Sequence, residues 1–382
     1  MKVVIAIDSF KGSLSSLEAG RAIREGILQT HPLAQVCIKP IADGGEGTVD
    51  ALVDGLQGSY HNVEVTGPLG TPVTSTYGTI DEGHVAIIEM ATAAGLSYVP
   101  MMQRNPLNTT SFGVGETILH AMHAGCREFI LGLGGSATND GGIGMLSALG
   151  VRFLDEDDNE LQPYGHSLTQ IKKINTDNMP FALQDCHFRV ACDVTNPLYG
   201  ANGATFIFGP QKGATPEIMT TLEDGIINYA TVVSKHFQSN LANTPGAGAA
   251  GGLGFAFISF LNASMESGVS VILDAIHLKD NIKEADYVIT GEGRLDSQTA
   301  MGKAPSGIAS LAKEFDKPVI AFSGCATLDA KVLNTIGIDA FFPILQAPMS
   351  VEEAMDGKVA HENLLATTTQ VFSLIATLKQ RK

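Results

Sequence analysis

Blocks of apolar and polar positions change period along this chain, and the changes divide it into three stretches. Residues 3–7 form an unbroken apolar run that ends in Asp8, which suits a parallel strand covered on both faces. Ser15-Ser16-Leu17-Glu18 has the capping-box pattern, and after it Ala19, Ala22, Ile23, Gly26 and Ile27 recur at helical spacing. A second strand is predicted over residues 36–42, ending at Asp43, and Thr48 opens another helix with Val49, Leu52 and Val53 on one side. This strand-helix-strand-helix opening predicts a parallel sheet whose functional loops lie at the carboxyl ends of its strands.

Near Tyr60 the rhythm changes. Residues 62–66, 73–80 and 84–90 are β-rich runs separated by Gly-Pro, Thr-Pro and Asp-Glu-Gly, the punctuation of antiparallel turns. Further on the first rhythm resumes: residues 287–290 end at Gly291, residues 318–322 end at Ser323-Gly324, and between them Ile308, Leu311, Ala312 and Phe315 repeat at helical spacing. The expectation is an α/β chain of two domains. One is a Rossmann-like parallel-sheet domain built from residues 1–60 and 281–382, and the other is an inserted mixed α/β domain over residues 61–280. Residues 110–150, read as helix, strand and helix, fit either domain.

A length of 382 residues allows two to three cores, and 44% hydrophobic with 17% charged residues describes a globular protein. No apolar run approaches the roughly 20 residues of a bilayer crossing, and the apolar start is too short for a signal peptide, so no membrane association and a cytoplasmic location are expected. A net charge of -16 with 24 Lys plus Arg repels phosphate backbones and excludes nucleic acid as a partner. The cysteines, Cys37, Cys126, Cys186, Cys192 and Cys325, are odd in number and lack a Cys-x-x-Cys pair, so reduced thiols are expected. The histidines show no His-Glu-x-x-His spacing, which argues against a transition-metal centre.

Against this background the Gly-rich segments stand out, because each follows a strand-like run. They are Asp8-Ser9-Phe10-Lys11-Gly12-Ser13, Asp43-Gly44-Gly45-Glu46-Gly47-Thr48, residues 132–142, residues 245–252 and residues 290–299. Glycine lets backbone N–H groups approach an anion closely, and a following helix adds the positive end of its dipole, so the set points to an enzyme that handles phosphates. Lys11, Arg294 and Lys303 sit within or just after these turns. So do the acids Asp8, Asp43, Glu46, Asp140, Glu292 and Asp296, while Asp193 follows a strand predicted over residues 187–191 and precedes a Thr-Asn-Pro turn; such acids either hold Mg²⁺ and accept a proton or simply cap helix N–H groups.

Gly132-Leu133-Gly134-Gly135-Ser136-Ala137 also matches the dinucleotide form G-x-G-x-x-A, and Asp155 lies about where a ribose-binding acid belongs. That leaves an NAD-dependent oxidoreductase acting on a small hydroxy acid as the alternative. Gly302-Lys303 is followed by Ala304, so there is no Walker A motif, and the protein-kinase and Gly-x-Ser-x-Gly signatures are absent.

The strings Asp8 to Ser15, Ala42 to Thr48, Gly132 to Gly142, Cys192 to Leu198 and Gly291 to Thr299 together resemble the bacterial type I glycerate kinase family, in the family's order and over nearly the whole chain. The resemblance implies ATP-dependent phosphorylation of D-glycerate, with 2-phosphoglycerate as product, in organic-acid, glyoxylate or sugar-acid catabolism, and a two-domain α/β fold with the active site in the cleft between the domains. It leaves a homodimer open and supplies no settled list of catalytic residues. Chemistry then suggests the roles. Ser9, Lys11 and Arg294, with Asp8 and Lys303, hold the substrate, because a guanidinium binds a carboxylate bidentately. Gly134, Gly135, Ser136, Thr138, Asn139, Gly246 and Gly248 cradle ATP. Asp296 is the general base and Asp193 the Mg²⁺ or hydroxyl ligand, with the reverse assignment open, and Asp43 and Glu46 complete the metal set.

Overall fold

The computed structural model describes residues 1–42 and 47–380. The chain forms two compact units, one of Met1–Asp43, Asp50–Gln57 and Ile272–Lys382, the other of Gly44–Val49 and Gly58–Val271. Residues 110–150 therefore lie in the second unit.

The first unit is built on five parallel strands in the spatial order Ala340–Pro343, Val319–Ala326, Tyr287–Leu295, Lys2–Ile5 and Gln35–Ile38. Numbered within this sheet by sequence, the order is 2-1-3-4-5, a doubly wound arrangement that reverses between Lys2–Ile5 and Tyr287–Leu295. Ser15 and Glu18 form the expected capping box on the helix Ser16–Thr30, whose Ala19, Ala22, Ile23 and Ile27 are buried. These residues join Val3, Ile5, Ile7, Phe322, Leu364 and Phe372 in one core. The C-terminal helix Gly357–Gln380 supplies Leu364 and Phe372 to it.

Two strand ends differ from the sequence pattern. The second strand stops at Ile38 rather than residue 42, because Pro40 has no N–H to donate to a ladder. Conversely, Tyr287–Leu295 and Val319–Ala326 run straight through the glycines expected to end them, with Gly291 opposite Phe322 and Arg294 opposite Cys325. Gly291 has φ +150°, and a Cβ there would collide with the Phe322 carbonyl, so this glycine permits close approach of two strands rather than a turn.

The second unit holds a six-stranded mixed sheet ordered Ser264–Glu266, His187–Ala191, Glu128–Gly132, Val85–Glu89, Pro72–Ile80 and Ser59–Thr66. The strands after Tyr60 do pair antiparallel, but Val85–Glu89 then pairs parallel with Glu128–Gly132, which pairs parallel with His187–Ala191. A separate core underlies it, including Ile88, Leu131, Val190, Phe129 stacked on Phe188, and Tyr229 edge-on to Phe153 and Phe255. Among the described residues no helix is long and apolar enough to cross a membrane.

Candidate active site

In the first unit a cavity of about 550 Å³ opens among residues that follow strand Lys2–Ile5 and residues at the carboxyl end of strand Tyr287–Leu295, the pair where the strand order reverses. Crevices outside the carboxyl ends of strands at such a reversal are where open α/β sheets bind ligands. Asp8, Ser9 and Lys11 line it from one side, and Glu292, Arg294 and Asp296 from the other, with Lys303. Spaced two apart on an extended segment, Glu292, Arg294 and Asp296 point the same way, while the intervening Leu295 is fully buried. Ile344, Leu345, Val351 and Met355 give the cavity an apolar side that the sequence did not signal.

The polar groups hold one another. The Ser9 N–H donates to Asp8 Oδ1 at 2.6 Å, and the Asp8 N–H donates to the Gly291 carbonyl at 2.9 Å, tying the two loops. Arg294 Nε lies 3.4 Å from Asp296 Oδ2, and the Gln298 N–H donates to Asp296 Oδ1 at 2.9 Å. The Arg294 side chain is 64% exposed and that of Asp296 18%, so the cation reaches solvent while the carboxylate is tucked beneath it. Glu292 accepts from Thr299 Oγ1 at 2.7 Å and from Lys303 Nζ at 3.4 Å. The structure thus brings Asp8, Ser9, Lys11, Arg294, Asp296 and Lys303 to one cavity.

The second unit carries the remaining residues. Between strand Glu128–Gly132 and helix Ile143–Ala148, Gly134 and Gly135 are exposed, whereas Ser136, Thr138, Asn139 and Asp140 are buried. The Gly135 carbonyl accepts from the Leu96 N–H and the Ala137 N–H donates to Ala94, which pins the turn. Among the described residues no hydrogen bond reaches the N–H groups of Gly134, Gly135 and Ser136. Asp140 does not face a ligand: its carboxylate accepts from the Ser111 N–H and Oγ, both at 2.7 Å, and from the N–H groups of Gly142 at 3.0 Å and Gly144 at 3.3 Å. Burial pushes its carboxyl upward against those four hydrogen bonds, yet four donors and no acceptor leave a place only for the ionised form. Beside it Lys212, unmarked by any motif, is buried with Nζ donating to Ser136 Oγ at 2.8 Å and to the Thr138 carbonyl at 2.6 Å. Burial holds its ammonium down to about 7, partly offset by the Asp140 charge.

Gly246 and Gly248, expected to cradle phosphate, are buried against protein instead. A Cβ on Gly246 would lie 2.7 Å from Met265 Cε, and one on Gly248 would meet the Pro197 carbonyl, so their small size serves loop packing. Asp193 Oδ1 accepts from the N–H of Gly268 at 3.0 Å, at the start of helix Gly268–Ala275, a capping contact. Asp43 and Glu46 lie outside the described residues. The dinucleotide alternative loses its ribose acid, because Asp155 accepts from the N–H groups of Asp157 and Asn159 within its own turn. Its helix also begins at Ile143 rather than inside the Gly132–Ala137 motif, too late for the dinucleotide turn.

The doubly wound sheet with a cation- and carboxylate-lined cavity at its reversal point, and the Gly-rich turn with open N–H groups, are features suited to small anionic ligands. The comparisons are more specific. The model of the glycerate kinase family matches residues 3–376. Glycerate 2-kinase of Escherichia coli (strain K12) is 45% identical over 376 residues, 98% of each chain, and glycerate kinase of Haemophilus influenzae is 47% identical over 98% of this chain and 99% of its own. A crystal structure provisionally assigned as glycerate kinase 2 from Salmonella typhimurium LT2 superposes with a TM-score of 0.92 at 44% identity, covering 100% of both chains. The chain belongs to the glycerate kinase family, whose members are phosphotransferases with an alcohol group as acceptor.

Proposed function

We propose that this chain transfers the γ-phosphoryl group of MgATP to the 2-hydroxyl of D-glycerate, giving 2-phosphoglycerate, in the cytoplasm and in organic-acid catabolism. The observation that carries the reading is the cavity at the strand reversal, where Lys11, Arg294 and Lys303 meet Asp8, Glu292 and Asp296 in a protein otherwise short of cations. The choice of the 2-hydroxyl is supported by the name of the Escherichia coli relative.

Phosphoryl transfer asks the protein for positioning, neutralisation of charge and a proton acceptor. Arg294 and Lys11 receive the substrate carboxylate, with Ser9 as a hydroxyl partner and Asp8 fixing the Ser9 backbone through their 2.6 Å bond. Lys303 balances Glu292 and adds positive charge to the cavity. Asp296, oriented by Arg294 and by the Gln298 N–H, accepts the proton of the attacking hydroxyl. The polyphosphate lies on the N–H groups of Gly134, Gly135 and Ser136, near Thr138 and Asn139, whose Oγ1 and Oδ1 are buried without a partner among the described residues.

Mg²⁺ fits the donor set, because the candidates are oxygen ligands and the ion usually takes only one or two carboxylates alongside phosphates and water. Among the described residues no group of three or more His, Cys, Asp or Glu is arranged as a cage. Asp193 and, outside the described residues, Asp43 and Glu46 would hold the ion. When bound it neutralises charge on the transferred phosphoryl group.

Phosphorus NMR of the product tests the assignment. A phosphate on the C2 carbon couples to one proton and gives a doublet, whereas one on C3 couples to two and gives a triplet. A triplet overturns the regiochemistry, and absence of glycerate-dependent ADP formation overturns the activity.

A further inference from the structure

Lys212 belongs to none of the strings that carry the family resemblance, yet it is 2% exposed and both of its hydrogen bonds run to the Gly-rich turn. Placing a lysine amine this deep is costly unless its donors are matched, and here they meet Ser136 Oγ and the Thr138 carbonyl. The bond to Ser136 has a directional consequence. Because Ser136 Oγ accepts from Lys212, its own proton must point elsewhere, and among the described residues no acceptor takes it. A hydroxyl that already accepts one hydrogen bond is also a stronger donor, since successive hydrogen bonds polarise one another. At 8% exposure Ser136 lies just under the surface of the turn, next to the open N–H groups of Gly134 and Gly135.

We infer that Lys212 is a positioning residue for the nucleotide: it fixes the Ser136 hydroxyl so that its proton joins the N–H groups of Gly134, Gly135 and Ser136 as a donor to an ATP phosphate. The inference rests on the proposed seat of ATP at this turn. Its bond to the Thr138 carbonyl holds the rest of the turn in the same conformation, so Lys212 acts without touching the ligand. Asp140, the charged group facing Lys212, keeps its carboxylate on Ser111, Gly142 and Gly144 and does not compete for Ser136.

A double-mutant cycle on the full chain decides it, with steady-state kinetics in ATP and in glycerate and a melting curve for each variant. Ser136→Ala and Lys212→Met should each raise the KM for ATP about ten-fold, with that for glycerate moving less than about two-fold. In the Lys212→Met background, Ser136→Ala should add less than about two-fold, because the two act as one device. Fully additive effects, equal shifts in both substrates, or an unchanged KM for ATP in Lys212→Met overturn the inference. Should Lys212→Met not fold, Ser136→Ala alone decides, and an unchanged KM for ATP overturns it. Gly135→Val separates this from the seat itself: normal ATP affinity in that folded variant removes the seat, whereas lost affinity there with normal affinity in Lys212→Met removes only the role of Lys212.

Discussion

Replacing Asp140 with Ala tests whether this buried acid is a clasp or a member of the chemistry. Three backbone N–H groups and one hydroxyl converge on its carboxylate, at 2.7 to 3.3 Å, and they come from the starts of two helices, Phe112–His123 and Ile143–Ala148. Ser111 Oγ also accepts from the Met145 N–H at 3.0 Å, so the loss spreads to a fifth group. Each orphaned buried donor costs about 1–3 kcal/mol, and taking the low end for four gives about 4 kcal/mol. For a unit of this size that corresponds to roughly 10 °C in melting temperature. Differential scanning calorimetry of the full chain should show one transition, that of the second unit, falling by this amount while the other holds. A drop of less than about 3 °C together with lost turnover would refute the reasoning and return Asp140 to the list of ligands or bases.

Other outcomes follow from the same geometry. Arg294→Lys should raise the KM for glycerate about ten-fold and leave that for ATP nearly unchanged, because an ammonium cannot grip a carboxylate bidentately; equal changes in both remove Arg294 from substrate binding. Asp296→Asn should lower kcat by about 10² to 10⁴ with both KM values close to wild type, and near-normal turnover with an unaltered pH profile would make Asp296 a cap on its own turn. Lys212 sets a pH trend in stability. From about pH 7 up to the ordinary lysine value of 10.5 the unfolded chain holds a proton that folded Lys212 has released, so stability should rise with pH across that window, and Lys212→Met should lose this rise in parallel melting curves.

The parts of this molecule that were legible in its sequence are those written in local periodicity. The capping box at Ser15 and the buried set Ala19, Ala22, Ile23 and Ile27 needed only spacing, and the first strand, Lys2–Ile5, only an apolar run. Strand pairing was less accessible, because nothing near Val85–Glu89 announces that its far neighbour, Glu128–Gly132, runs parallel to it. Glycine was the least transparent residue, since the same letter marks an exposed turn at Gly135, a packed loop at Gly248 and a strand crossing point at Gly291. Lys212 was invisible for a related reason: its meaning comes from Ser136 and Thr138, more than seventy positions earlier in the chain.

Because the ladder through Gly291, Glu292, Arg294 and Leu295 carries the charged wall of the cavity, side-chain direction there is set by pairing with Val319–Ala326. Losing a single residue within that stretch would turn Arg294 toward the interior and Leu295 toward the ligand, an all-or-none failure with no graded intermediate. Variation in this wall is therefore confined to substitution. The opposite side is freer: Val351 and Met355 stand on the short helix Val351–Met355, exposed by 75% and 42%, where insertions and exchanges disturb no ladder. With substrate seated in this cavity as proposed, the apolar rim is where substitutions would alter its fit, while the charged strand stays a fixed reference.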